Sequence, residues 1–283
     1  MLAAIERSCT VPLSLSALEK TLFIPLWCRA QASLHYPSLF YDPKAVELVQ
    51  TIDYDFTAIA ARLNPVIRLV SVARARQFDS ILKAYVAQHP RASVVDLGSG
   101  LDTTFYRIDN GLIDWYDLDL PDVIAVRRQL LPETNRVRCI AKSLFDVSWC
   151  DDLINENNGV FASAGAVLGY FNEAKVKKLF SALADRLPGG QMVFTAYSPR
   201  ELALINKSLQ GVGMKDIAMK WALQDGNDLT RSDDRISVVD EFSFFRGIPP
   251  DPAWGEETLR ELRAIDERKG MRVVHVKLDP RNE

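Results

Sequence analysis

Gly98 and Gly100 bracket Ser99 directly after the apolar run "ASVVDL", and Asp96 stands two residues before the first glycine. Glycine tolerates left-handed backbone and leaves room for a ligand to approach the chain closely. Asp119 lies 21 positions after Gly98 and ends a second apolar run, "IDWYDLDL", followed by Leu120. A carboxylate at the end of a second strand can accept hydrogen bonds from both hydroxyls of a ribose. The spacing therefore points to a ligand with an adenosine-like ribose. Two ligand classes use this geometry. Dinucleotide sites carry a third glycine so that helix and strand close around a pyrophosphate, but here that position is Thr103. S-adenosylmethionine has no phosphate, so the pattern suits a methyl donor better, with a nicotinamide-dependent oxidoreductase as the alternative. Asp102 reads as the cap of the helix that follows.

Arg74 is the second candidate. The stretch Val66–Gln88 reads as one helix with an apolar stripe of Ile67, Val70, Phe78, Ile81 and Tyr85. Arg74 falls on that stripe, whereas Arg76 shares a polar face with Ser80 and Lys83. A charge on an apolar stripe is costly unless it is paired. Arg74 either snorkels or pairs within the protein, or it clamps a ligand carboxylate such as that of the donor's methionine part. The spacing leaves both readings open.

These residues need a scaffold, and from Ser93 the chain alternates strands and helices. "ASVVDLG", "IDWYDLDL", "RVRCIAKSLF", "GVFASAGAVLGYF" and "QMVFTAY" read as strands, with "ISVVDEFSFF" and "RVVHVKL" as later candidates. "PDVIAVRRQLL" reads as a helix with Pro121 first, Asp122 in the first turn, and Arg127 and Arg128 late enough to suit the dipole. "NEAKVKKLFSALADRL" reads as an amphipathic helix capped by Asn172 and closed by "PGG". Alternation implies an α/β fold with a parallel sheet covered on both faces. The first ninety residues read mostly as helix and are expected to fold over the ligand edge. Residues 198–235 read as a non-repeating insertion that covers the substrate. The whole chain, 1–283, is expected to form one unit, with 1–90 as a helical cap and 91–283 as the core.

The chain is 48% hydrophobic with a net charge of −3, ordinary for a soluble globular protein and unlike a basic nucleic-acid footprint. No apolar run approaches membrane-spanning length, and the N-terminus lacks the order of a signal peptide. Cys9, Cys28, Cys139 and Cys150 show no paired spacing, and with three scattered histidines they form no metal signature. The expectation is a cytoplasmic protein with reduced cysteines, no metal, no membrane or nucleic-acid partner, and a small-molecule substrate. Oligomeric state cannot be read.

The combination of "ARARQFD", "VVDLGSGLDTTFYRI", "DWYDLDLPDVIAVRRQLLPE" and "LPGG" resembles the leucine carboxyl methyltransferase family. It is most similar to the bacterial branch that contains the tetracenomycin-type polyketide O-methyltransferases. "ALEKTLFIPLWCRAQAS", "LFYDPKAVELV" and "VVDEFSFF" resemble that branch as well. The likeness runs from about Ala17 to Leu278, and "GLDTTFYR" is its most specific part. The resemblance implies a class I, Rossmann-like methyltransferase fold with a helical N-terminal cap and S-adenosylmethionine as cofactor. It implies that Arg74 holds the donor's carboxylate, that Gly98 lies against the donor with Asp96, Ser99 and Gly100, and that Asp119 and Leu120 meet the ribose. It further implies that Ser143 and Leu144 flank the adenine, with Ser143 standing where relatives often carry an acid. The family pattern E-x-L-x-x-Y departs here to "GAVLGY": Gly165 replaces the glutamate, and Tyr170 matches.

The resulting expectation is an S-adenosylmethionine-dependent O-methyltransferase acting on a carboxylate, or a hydroxyl, of a small metabolite such as a polyketide. A carboxylate acceptor is already ionised at neutral pH and needs no general base. A phenol would benefit from one, yet His35, His89 and His275 all read as surface residues away from the ligand edge. Tyr170 could contact the acceptor or simply pack. A non-catalytic donor-binding protein is a third reading, raised by Gly165.

Overall fold

The computed structural model describes residues 22–154, 158–211 and 218–280. Cys9 and the beginning of the expected helical cap lie outside the described residues. Four helices come first: α1 (Phe23–His35), α2 (Pro43–Thr51), α3 (Thr57–Arg62) and α4 (Pro65–Gln88). The alternating part follows with β1 (Ser93–Leu97), α5 (Phe105–Ile108), β2 (Asp114–Asp119), α6 (Pro121–Leu130), β3 (Val137–Ala141), β4 (Val160–Ala164), α7 (Glu173–Arg186) and β5 (Gln191–Tyr197). The chain closes with α8 (Pro199–Gly211), α9 (Asn227–Ser232), β6 (Ile236–Ser243), α10 (Glu256–Glu267) and β7 (Met271–Leu278).

The strands form one sheet in the order β3-β2-β1-β4-β5-β7-β6. β1 to β5 are parallel, and β7 runs antiparallel to both its neighbours, β5 and β6. The all-parallel expectation thus holds for the first five strands and fails at β7, which enters from α10 by a short turn at Gly270 and needs no crossover. Strand order reverses between β1 and β4, so the carboxyl ends of these two strands open a crevice.

Strand alternation divides the core. Val95, Leu97, Tyr116 and Leu118 face one side with Val176, Leu179, Phe180 and Leu183 of α7. Val94, Trp115, Phe161 and Val193 face the other with Phe78, Leu82 and Tyr85 of α4 and Leu262 of α10. α4 therefore lies on the sheet along most of its length. Its buried stripe is Leu69, Val72, Ala73, Phe78, Leu82, Tyr85 and Val86, while Ile67, Val70 and Ile81 are only half-buried. The expected stripe was rotated by one position, and Arg74 sits on the border of the buried face. α1 and α2 build a third apolar cluster with Leu101 and Leu130 beside the glycine turn.

The stretch 198–235 is more regular than expected. Ser198 Oγ accepts from Glu201 N at 3.2 Å and starts α8 with Pro199 at its first position. Serine followed three residues later by glutamate is a helix-start signal that was legible in the sequence.

Candidate active site

The turn after β1 explains its own composition. Gly98 and Gly100 have φ of 72° and 48°, left-handed values that favour glycine. The N–H groups of Gly98 and Ser99 both donate to Leu118 O, at 2.8 and 3.1 Å, which ties the turn to β2. A Cβ on Gly98 would lie 2.7 Å from Val167 Cγ2 in the loop after β4. Gly98→Ala is expected to destabilise the protein by more than the ~1–2 kcal/mol of left-handed strain alone. Gly111→Ala is the reference, because Gly111 also has positive φ but an added Cβ meets nothing within 4 Å. Equal costs for the two in urea unfolding would show that the Val167 contact has no weight.

Beside the turn, Asp119 Oδ2 accepts from Gly100 N at 2.8 Å and Oδ1 from Leu120 N at 2.7 Å. Each carboxylate oxygen keeps a lone pair free. Burial raises the Asp119 pKa against the lowering effect of these two N–H groups. Asp96 is buried and accepts from Ser163 Oγ at 2.7 Å. Burial first, and the nearby Asp102 and Asp117 next, push Asp96 well above the carboxylate range.

The turn, the β4 loop and α4 enclose a cavity of about 800 Å³, within the range of small-molecule sites. Its walls include Asp96, Gly98, Ser99 and Gly100 from the first turn, and Asp119 and Leu120 from the second. Ser143 and Leu144 line it after β3, Gly165 and Tyr170 after β4, and Arg74 and Phe78 on α4. Every residue expected at the donor site therefore reaches one cavity. Arg76 does not; it donates to Leu39 O at 2.9 Å. Among the described residues Arg74 has no carboxylate partner, and its guanidinium faces the Tyr197 hydroxyl. Tyr197 is pushed up to about 12 by burial, which the Arg74 charge offsets in part. Burial also raises Tyr170. Gly165 has ordinary backbone, and an added Cβ would meet only Phe78 Cε1 at 3.9 Å. The replaced glutamate thus leaves open space on the cavity wall.

Several wall residues escaped the sequence reading. Asp102 accepts from Thr104 N at 2.6 Å, a turn ahead of α5 and not the expected cap, since Thr104 is the residue before α5 and no side chain caps that helix; Asp102 also lies 3.6 Å from Arg29 Nη1 and lines the cavity with it. Burial alone would raise Asp102; the Arg29 and Arg107 charges hold it well below the ordinary range. Thr103, at the place of a third glycine, is fully buried and donates to Asp42 Oδ2 at 2.6 Å. The same oxygen receives Arg29 Nε at 3.0 Å and Arg107 Nη1 at 2.7 Å, and Arg107 also pairs with Asp79 at 2.7 Å. The "GLDTTFYR" block is thus the seat on which α1 and α2 dock. Arg127, read as a dipole partner on α6, is buried, pairs with Asp117 at 2.7 Å and donates to Gly100 O at 2.9 Å. It holds the glycine turn from behind. Phe145, Phe171, Lys175 and Lys220 also line the cavity. His35, His89 and His275 lie elsewhere, and only His35 is the surface residue expected: His89 is half-buried and stacks on Tyr85, and His275 is half-buried in β7, where it meets Gln191 Oε1 at 2.8 Å.

A sheet of this order with a glycine turn and a second-strand acid at its switch point defines the Rossmann-like, class I methyltransferase architecture. Solved structures share it. A candidate methyltransferase from Thermobifida fusca matches with a TM-score of 0.57 at 14% identity, covering 89% of this chain and 94% of that one. A DUF574-family protein from Streptomyces avermitilis matches with a TM-score of 0.58 at 13% identity, covering 90% and 97%. The family model described as leucine carboxyl methyltransferase matches residues 24–184. The tetracenomycin polyketide synthesis O-methyltransferase TcmP of Streptomyces glaucescens is 32% identical over 186 residues, 65% of this chain and 68% of the relative. The S-adenosyl-L-methionine-dependent methyltransferase dpfgK of Gibberella zeae is 24% identical over 238 residues, 76% and 78% of the two chains. The chain belongs to the leucine carboxyl methyltransferase family, in its tetracenomycin-type branch, and is an S-adenosylmethionine-dependent methyltransferase. The oxidoreductase alternative falls with this membership.

The cavity suits that donor. Ser99 Oγ is buried on its wall without a hydrogen-bond partner among the described residues. Asp119 offers free lone pairs to a diol, and Arg74 offers a guanidinium to a carboxylate. Among the described residues no group of His, Cys, Asp and Glu could hold a metal, and no helix is long and apolar enough to cross a membrane.

Proposed function

We propose that the protein is an O-methyltransferase that esterifies a carboxylate of a small-molecule acid, of the polyketide kind or similar, in the cytoplasm. The charge of the cavity carries this reading. Arg74, Lys175 and Lys220 line it, and among the described residues none of the three is paired with a carboxylate. The donor brings one carboxylate; a second anion on the acceptor matches a cation that the donor leaves unpaired, Lys220. Cys28 and Cys139 are buried and unbridged, in keeping with a reducing compartment.

In this reading Arg74 binds the donor's carboxylate, Asp119 accepts from the ribose hydroxyls, and Asp96, Gly98, Ser99, Gly100 and Leu120 shape the bed between them. Ser143 and Leu144 flank the adenine, and Gly165 leaves its wall open to the acceptor. Bound donor supplies a methyl group on a positively charged sulfur. The protein's own part is to hold an ionised acceptor in line and to exclude water. No proton has to be taken from a carboxylate at neutral pH, which matches a cavity wall without histidine among the described residues. Tyr170, kept protonated by burial, is a hydrogen-bond donor for the acceptor.

The test is chemical. Labelled methyl donor is incubated with the protein and a panel of aromatic and polyketide acids and phenols, and product is treated with mild alkali. Release of labelled methanol is the expected result. An alkali-stable product would sink the ester reading while leaving the methyltransferase intact, and labelling of no acceptor would favour a donor-binding role.

A further inference from the structure

The cavity wall beyond Ser143 and Leu144 carries a residue on the wrong end of a helix. α7 starts at Glu173, with Asn172 Oδ1 accepting from Lys175 N at 2.9 Å. The first turn of a helix favours negative charge, so Glu173 is well placed and Lys175 is not. Lys177, one turn on, pairs with Glu173 at 2.6 Å. Lys175 has no ion pair among the described residues. Its Nζ instead lies 4.2 Å from the Phe145 ring centroid and 5.3 Å from that of Phe171, and the two rings meet edge to face at 4.5 Å. All three residues line the cavity.

Two fixed points orient the donor. Asp119, at the end of β2, marks the ribose, and Arg74, on α4, marks the methionine carboxylate. The base and the methionine part leave the ribose from opposite ends of the ring. The base therefore runs away from Arg74, towards the loop after β3 that holds Ser143, Leu144 and Phe145. There it meets an aromatic pair crowned by an ammonium group. Phenyl rings take the face of a heteroaromatic base. An ammonium carries three N–H donors and no acceptor, which suits the ring nitrogens of a purine, and it adds a cation–π attraction.

We propose that Lys175, carried on Phe145 and Phe171, is a binding residue for the adenine base of the donor. This rests on the reading of the cavity as the donor site, and the test separates the two. Calorimetric titrations use S-adenosylhomocysteine and 5′-methylthioadenosine, which share the adenosine but differ in that the second lacks the amino-acid end. Lys175→Met is expected to weaken both by a similar factor, about 5- to 20-fold. Lys175→Arg, which keeps a cation over the rings, is expected to retain most of the affinity. Neither variant should change the melting temperature of the ligand-free protein, because the side chain is exposed. Unchanged binding of 5′-methylthioadenosine by Lys175→Met would overturn the proposal, as would a loss confined to S-adenosylhomocysteine or one that arginine fails to rescue. A wild-type protein that binds neither compound would overturn the donor-site reading itself.

Discussion

Asp42→Ala is expected to destabilise the protein by about 3–5 kcal/mol, the cost of removing one member of a buried ion network. Asp42 is fully buried and accepts from Arg29, Arg107, Thr103 and the backbone N–H of Ala45. Alanine leaves Arg29 and Arg107 short of a counter-charge in a dry interior. It also removes the cap of α2, a further ~1 kcal/mol. At roughly 2–4 °C per kcal/mol for a chain of this size class, the melting temperature should fall by about 10 °C or more. Lys177→Ala, which breaks the exposed pair with Glu173, should leave it within error. Differential scanning calorimetry of the two variants decides the matter. A drop of only a degree or two for Asp42→Ala would mean that α1 and α2 are held by their apolar cluster and that the network is incidental.

Arg74→Ala is expected to weaken binding of S-adenosylhomocysteine by about 1.5–3 kcal/mol, the range of a charge-assisted hydrogen bond. Arg76→Ala should weaken it far less, because Arg76 lies off the cavity and loses only its bond to Leu39 O. The discriminating ligand is 5′-methylthioadenosine, which has no carboxylate, so Arg74→Ala should leave its affinity unchanged. Equal losses from both arginines, or an equal loss of both ligands, would remove Arg74 from the role of carboxylate clamp. Arg74→Lys should recover only part of the affinity, since a point charge does not reproduce a two-pronged guanidinium.

Much of this protein was legible in the sequence because the deciding forces are local. The glycine turn needs left-handed backbone at Gly98 and Gly100, and only their residue type supplies it without strain. β1, β2, α6 and α7 follow from apolar spacing and from Pro121 and Asn172 at the two helix starts, so their bounds were met within a residue. The acid at Asp119 followed from its distance to the turn. Partners remote in sequence decided the rest. Asp42 meets Thr103 and Arg107 across 61 and 65 positions, so nothing in "YDPKA" or "GLDTTFYR" taken alone could show that each satisfies the other's buried charge. Arg127 read as a dipole partner at the end of its helix, and only the fold put Asp117 and the Gly100 carbonyl within its reach. The stripe of α4 was misjudged because a helix pressed between a sheet and a second helix layer buries more than one face, and no single period describes it. Residue type and spacing fixed which backbone can turn and which face can be apolar; the tertiary structure chose the partner of every buried charge, because an ion in a dry interior is stable only where the fold brings its counter-ion within hydrogen-bonding reach.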